Sequence, residues 1–272
     1  MAELSGRALR IAERERNPRW KNPPLLPGAE PWSASGDTTG VLCLHGFTGN
    51  PSSMRGLAVA FAAAGHTVEL PRLPGHGTTL EDMLTTTWAD WSAHVEDVYL
   101  DLAARCERVF VSGLSMGGSL SLWLAQRHPE IAGLILVNPA CRRWSDAEPL
   151  IGMLQAMVDD GEILVAGVGN DIADESVTES AYTRVPLPCL ISLLEASERL
   201  EGDLANIVSP TLLMTSPQDH VVEPEQSDRI ASAVSGPVER LSLDRSYHVA
   251  TLDFDRELIE ARAVAFVAGR VG

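Results

Sequence analysis

Short uninterrupted apolar runs alternate along the first half of the chain with segments whose apolar residues recur every three to four positions. Val41-Leu42-Cys43-Leu44 is the first such run, as expected for a strand covered on both faces of a parallel sheet. Asn50 then suits an N-cap and Pro51 a first helical residue, Met54, Leu57 and Phe61 keep helical spacing, and Gly65 stands where a helix-terminating glycine belongs. Thr67–Leu70 predicts the next strand, and residues 71–87, rich in Pro, Gly and Thr, a loop. Trp88, Trp91, Val95, Val98 and Leu102 line one face of a helix predicted over 88–104. A strand is expected at 108–112, a helix at 116–127 ended by His128-Pro129, and a strand at 131–137. Alternation of this kind specifies an α/β architecture with a parallel sheet.

The pattern lapses between about 140 and 206, where the pieces are mixed, weakly helical and without a convincing strand. It resumes with Thr211–Thr215, a helix near 225–234, a strand near 238–243 and a last helix over about 255–268. The simplest division is an irregular lead-in at 1–39, a core at 40–139 and 207–272, and a cap inserted at 140–206 between two strands of one sheet. Met153, Leu154, Met157, Ile191, Leu193 and Leu194 give that insertion its apolar content; a separate small domain with its own core is the other reading.

Gly113-Leu114-Ser115-Met116-Gly117 has the form G-x-S-x-G, which arises by chance in roughly one chain in ten of this length. Its placement gives it weight: it falls between the end of a predicted strand and the start of a predicted helix, the setting of a nucleophile elbow. A side chain at 113 or 117 would obstruct the chain as it doubles back, and the helix N-terminus would favour negative charge beside Ser115. A serine hydroxyl needs a base within hydrogen-bond reach. Of seven histidines, His248 follows a predicted strand by a short loop, where functional groups of an α/β sheet gather. His66, His94 and His128 fall at or inside helices, and His45 reads as structural.

The base in turn needs a carboxylate to hold its tautomer. Asp219, after the strand at 211–215, completes the chain order Ser115…Asp219…His248 described for hydrolases of this architecture. Asp244 and Asp253 flank His248 and are rivals, the first close to the strand edge and the second near the start of the last helix. Two backbone N–H donors must face the oxyanion. Met116, following the nucleophile, and Phe47, in the loop His45-Gly46-Phe47-Thr48-Gly49, are the candidates.

Together with Leu73-Pro74-Gly75-His76-Gly77, Asp219-His220-Val221-Val222 and Ser246-Tyr247-His248-Val249-Ala250, these stretches resemble the bacterial carboxylesterase and monoacylglycerol lipase group of the α/β-hydrolase superfamily over roughly residues 40–270. The resemblance implies an α/β-hydrolase fold: a mostly parallel central sheet flanked by helices, with a small cap insertion. It implies no cofactor and no metal, and carboxylic esters of medium or long acyl chains as substrates. By motif match, Ser115, Asp219 and His248 would form the triad, and Phe47 and Met116 the oxyanion hole.

Composition narrows the partners. Lys plus Arg number 21 and Asp plus Glu 37, a formal net charge of −16, which excludes a basic footprint for nucleic acid and charge-driven docking on an anionic membrane. The same charge disfavours acyl-CoA thioesters. No run approaches the roughly 20 apolar residues of a membrane span, and the charged N-terminal stretch has no secretory h-region. Cys43, Cys106, Cys141 and Cys189 show no ligand or disulfide spacing, which fits free thiols in a cytoplasmic protein. The expected activity is therefore hydrolysis of small lipophilic esters, monoacylglycerols foremost, with Trp144, Leu150, Ile151, Met153, Leu154, Met157 and Ile163 available to cover an acyl chain. A short-chain carboxylesterase, a thioesterase, a C–C hydrolase, a cofactor-free peroxidase, a peptidase and a ligand-binding receptor without turnover are the alternatives.

Overall fold

The computed structural model describes residues 23–167 and 169–271. Seven strands form one sheet: β1 (Trp32–Ala34), β2 (Thr39–Leu44), β3 (Thr67–Leu70), β4 (Arg108–Leu114), β5 (Gly133–Val137), β8 (Thr211–Thr215) and β9 (Val238–Ser242). Their spatial order is β1-β3-β2-β4-β5-β8-β9. Only β1 is antiparallel to its neighbour, with Trp32 opposite Leu70. The remaining pairings are parallel, with Leu44 opposite Gly113 and Val137 opposite Met214 near the ends that matter for the site.

The apolar runs are continuous because both faces of the central strands are covered. β2 and β5 are buried at every position. Successive side chains project to opposite faces. Leu42, Leu44, Val111, Leu134, Leu136 and Leu213 therefore join one core layer. Its helices are α3 (Trp88–Ala103), α4 (Met116–Arg127) and α8 (Glu225–Ala233), which supply Trp91, Val95, Leu120, Leu124 and Ile230. Val41, Cys43, Phe110, Ile135, Val137, Leu212 and Met214 face the other layer. There α1 (Arg55–Ala63) and α9 (Arg256–Val271) contribute Leu57, Phe61, Ile259 and Phe266. A short α2 (Leu80–Met83), capped by the Thr79 side chain, sits in the loop before α3.

Two sequence expectations need correction. Residues 1–39 are not irregular throughout: β1 lies there, though 1–22 fall outside the described residues. It has three residues, too few to display an alternating pattern, and it exists by pairing with the otherwise open edge of β3. The stretch 140–206 does contain strands. β6 (Leu164–Ala166) pairs antiparallel with β7 (Arg184–Pro186), a two-stranded ribbon whose partners lie about twenty residues apart and carry no local signature. The helices of this stretch are α5 (Trp144–Asp159), α6 (Leu187–Glu195) and α7 (Ser197–Gly202). Because β5 and β8 are parallel neighbours, everything between them leaves the sheet at its carboxyl rim and returns to the adjacent position.

Candidate active site

The carboxyl ends of β2, β4, β5, β8 and β9 meet at one rim. β4 runs straight into α4 through Ser115, whose backbone has φ 56° and ψ −117°. A non-glycine residue in that region is strained, and the surroundings hold it there. Ser115 N–H donates to Val137 O at 3.1 Å, and its carbonyl accepts from Gly118 at 2.9 Å and Ala140 at 3.1 Å. The turn is closed enough that a β-carbon on Gly113 would strike the Gly117 carbonyl, and one on Gly117 the Leu44 carbonyl. These are the close approaches that the G-x-S-x-G spacing anticipates.

Asp219 and His248 reach the same rim from β8 and β9. His248 Nδ1 and Asp219 Oδ2 are 2.7 Å apart, with both side chains at least 90% buried. The second oxygen of Asp219 accepts the Val221 and Val222 N–H groups, each at 2.8 Å, so the carboxylate is held by three donors. The rivals take other partners. Asp253 is fully buried and accepts from Tyr247 N–H at 2.9 Å, Ala173 N–H at 2.7 Å and Asp174 N–H at 3.0 Å, while Asp244 accepts from the Ser242 hydroxyl at the surface.

Phe47 lies in the loop after β2, and Met116 directly follows Ser115. Met116 is the first residue of α4, where an N–H has no intrahelical acceptor. The Phe47 loop passes against the nucleophile, since a β-carbon on Gly46 would sit 3.4 Å from Ser115 Cβ. His45 fixes the peptide between Gly46 and Phe47. Its Nε2 accepts from Leu73 N–H at 3.2 Å, so Nδ1 carries the proton and donates to Gly46 O at 2.9 Å. Complete burial holds His45 well below the ordinary imidazole range, and His76 beside it pushes the same way. It is thus a neutral structural histidine that aims the Phe47 amide.

Phe47, Ser115, Leu190, Leu193, Leu194 and Leu200 line a cavity of about 150 Å³, together with Val221, Val222 and Gln226. A larger groove of about 400 Å³ opens at Trp32, Arg72 and His94, and none of the five site residues lines it. The leucines of the cavity come from α6 and α7. Most of the apolar residues expected to cover a substrate do otherwise: Leu150, Ile151, Leu154 and Met157 of α5 pack on α6 in a cluster of their own.

Three further residues are invisible to motif reading. Asn138 directly follows β5, has φ 44° and is buried. Its side chain accepts Ser216 N–H at 2.7 Å and donates to His248 O at 2.8 Å, joining the loops after β5, β8 and β9. Glu179 places a carboxylate oxygen 2.9 Å from where a β-carbon of Gly49 would stand; desolvation raises its pKa, opposed by the His248 charge. Asp171 receives the backbone N–H of His248 at 3.0 Å. Only a distant-contact map could have found these, since each partner lies tens of residues away.

A family model for the alpha/beta hydrolase family matches residues 41–261. The chain belongs to the alpha/beta hydrolase family. Among members, it is 43% identical over 252 residues to a thermostable monoacylglycerol lipase of Bacillus sp. (strain H-257), covering 92% of this chain and 98% of that protein. It is 28% identical over 240 residues to a carboxylesterase of Bacillus subtilis (strain 168), covering 88% and 96%. A solved structure from work on the metagenome-derived lipolytic enzymes LipS and LipT superposes with a TM-score of 0.85 at 42% identity, over 90% of this chain and 100% of that one. The alpha/beta hydrolase fold and the mostly parallel seven-stranded sheet thus agree with the sequence expectation.

Proposed function

We propose that this alpha/beta hydrolase is a serine carboxylic-ester hydrolase that cleaves small lipophilic esters, monoacylglycerols foremost, through an acyl-serine intermediate. The observation that carries the reading is the 2.7 Å His248–Asp219 pair at the same strand rim as a strained, cavity-facing Ser115. In the first half-reaction Ser115 Oγ attacks the ester carbonyl while His248 Nε2 takes its proton, Asp219 holding Nδ1–H toward itself. The Phe47 and Met116 amides receive the oxyanion. His248 then protonates the leaving alcohol. Water, deprotonated by the same imidazole, releases the acid and restores Ser115.

The leucines of α6 and α7 receive the acyl chain, and the Glu179 carboxylate, near the oxyanion loop, receives hydroxyls of the alcohol. Residues 140–206 act as a cap over the core formed by 40–139 and 207–272. Likeness to the Bacillus sp. monoacylglycerol lipase supports the substrate class. Among the described residues no helix is long and apolar enough to cross a membrane. None of the four cysteines is joined in a disulfide, as suits a reducing, cytoplasmic site of action.

A short-chain carboxylesterase is the second reading, favoured by the cavity volume. At about 150 Å³ it is below the ~300 Å³ low end of small-molecule pockets, so a long chain requires α6 to move. Hydrolysis of monoacylglycerols and of p-nitrophenyl esters of rising chain length separates the two. Monoacylglycerol turnover with kcat/KM climbing through medium chains supports the lipase, and a maximum at acetate or butyrate supports the esterase. Ser115→Ala lowers kcat by about 10⁶ on every substrate. Retention of turnover by that variant removes Ser115 from the chemistry.

A further inference from the structure

The segment 170–183 crosses the rim of the sheet and is stitched at both ends to loops of the site. At one end Tyr182 N–H donates to Thr48 O at 3.0 Å, next to the Phe47 amide, and Asn50 Nδ2 donates to Ser180 Oγ at 3.1 Å. At the other end stands Asp171, whose side chain is 12% exposed. One of its carboxylate oxygens accepts two backbone donors, His248 N–H at 3.0 Å and His220 N–H at 3.2 Å. The other oxygen faces His220 Nδ1 at 2.8 Å, and the Asp171 carbonyl accepts Val249 N–H at 3.1 Å.

The two loops so joined carry different halves of the reacting pair. His220 follows Asp219 directly, on the loop after β8, while His248 is on the loop after β9. The imidazole–carboxylate spacing therefore depends on two independently connected loops staying in register. Asp171 touches neither Ser115 nor the His248 ring in any of these bonds; besides its contact with the His220 ring, it holds backbone.

We propose that Asp171 is a positioning residue whose carboxylate, supplied by the insertion between β5 and β8, clamps the His248 backbone to the His220 backbone and thereby sets the imidazole against Asp219. The proposal rests on Ser115, Asp219 and His248 being the reacting groups. It assigns the insertion a role in keeping the base in place, beyond covering the substrate. Removing the clamp leaves the segment attached, because Ala173 and Asp174 N–H remain bonded to Asp253 and Tyr182 Oη to Gly75 O. The loss therefore falls on the register of the base rather than on folding.

The test compares Asp171→Ala and Asp171→Asn with Ser115→Ala, using a p-nitrophenyl ester, a fluorophosphonate that labels Ser115, and the downfield proton resonance of the His248 Nδ1–H···Asp219 bond. Misplacing a reacting group by about 1 Å can cost about 10²-fold. The alanine variant is expected to lose about 10- to 100-fold in kcat and in labelling rate, with KM within about threefold of wild type and the resonance broadened. Asparagine keeps an acceptor oxygen for the two backbone donors and is expected to restore most of both rates and the resonance. Asp171→Ser replaces alanine in the comparison should that variant fail to fold.

Wild-type kcat in Asp171→Ala, or impairment of Asp171→Asn equal to that of Asp171→Ala, overturns the clamp. Full turnover by Ser115→Ala overturns instead the underlying reading of the site. An inactive Ser115→Ala beside a fully active Asp171→Ala leaves that reading standing and removes only the clamp.

Discussion

His76 makes the stability of this fold depend on pH by an amount that follows from its surroundings. The ring is fully buried among His45, Phe47 and Trp91, with centroids 5.2, 6.2 and 5.4 Å away. Its Nδ1–H donates to Pro74 O at 3.0 Å, whereas Nε2 has no hydrogen-bond partner among the described residues. A second proton would have no acceptor there. Burial pulls the pKa from the ordinary 6.5 to about 4, with the Pro74 carbonyl opposing and Arg72 adding to the fall. The unfolded chain therefore takes up a proton below pH 6.5 that the native protein refuses until about pH 4. Stability contributed by the neutral ring is complete above the unfolded value and is lost as pH falls toward the folded one. Integrating between the two values gives a loss of about 2 kcal/mol at pH 5 and about 3 kcal/mol at pH 4 from this residue alone.

Urea unfolding at pH 7, 6 and 5, for wild type and His76→Phe, isolates the effect. Phenylalanine preserves the aromatic packing and cannot titrate, so its cost at pH 7 does not enter the comparison of slopes. Changes in overall charge and in carboxylate ionisation are common to both proteins and cancel. The wild type is expected to lose about 2 kcal/mol more than the variant between pH 7 and pH 5. Parallel curves over that interval would refute the claim that the buried ring is kept neutral by its environment. His45, shifted in the same direction chiefly by burial, is present in both proteins and contributes to the residual slope.

Gly117→Ala would drive a methyl into the Leu44 carbonyl, with Leu44 C at 2.7 Å and His45 O at 2.9 Å, and none of these is a flexible side-chain end. Thermal melts and ester turnover should show a less stable protein with at least about 10²-fold lower kcat, because the elbow and the Phe47 loop shift together; unchanged kinetics would contradict the close approach. Asn138→Ala strands the buried Ser216 N–H and the His248 carbonyl and puts alanine at φ 44°. A loss of about 2–4 kcal/mol in chemical denaturation is expected, and a change under about 0.5 kcal/mol would deny Asn138 its linking role.

The strand runs were legible because their cause is local. A strand covered on both faces must be apolar at successive positions, and Val41–Leu44 and Leu134–Val137 satisfy that within a few residues. The elbow was legible for the same reason: Gly113, Ser115 and Gly117 answer to steric demands inside one turn. Ser115, Asp219 and His248 could be proposed because each follows a predicted strand end, and parallel topology sends all such ends to one rim.

What lay outside local reach was selection among candidates and everything held by long-range bonds. Asp219 rather than Asp244 or Asp253 meets His248, 29 residues further along the chain, with its other oxygen held locally by the Val221 and Val222 N–H groups, while Asp253 is spent on the backbone of residues 173, 174 and 247. β1, β6 and β7 exist only through their partners, so three residues of sequence announce nothing. The leucines of the cavity, the Asn138 link and the Asp171 carboxylate depend on where the insertion settles after it leaves β5, a matter of tertiary packing. A chain's local pattern specifies which segments are helix or strand and which turns are tight; which distant polar groups become neighbours is decided by the closing of the fold, where burial leaves each donor and acceptor no partner but the one brought to it.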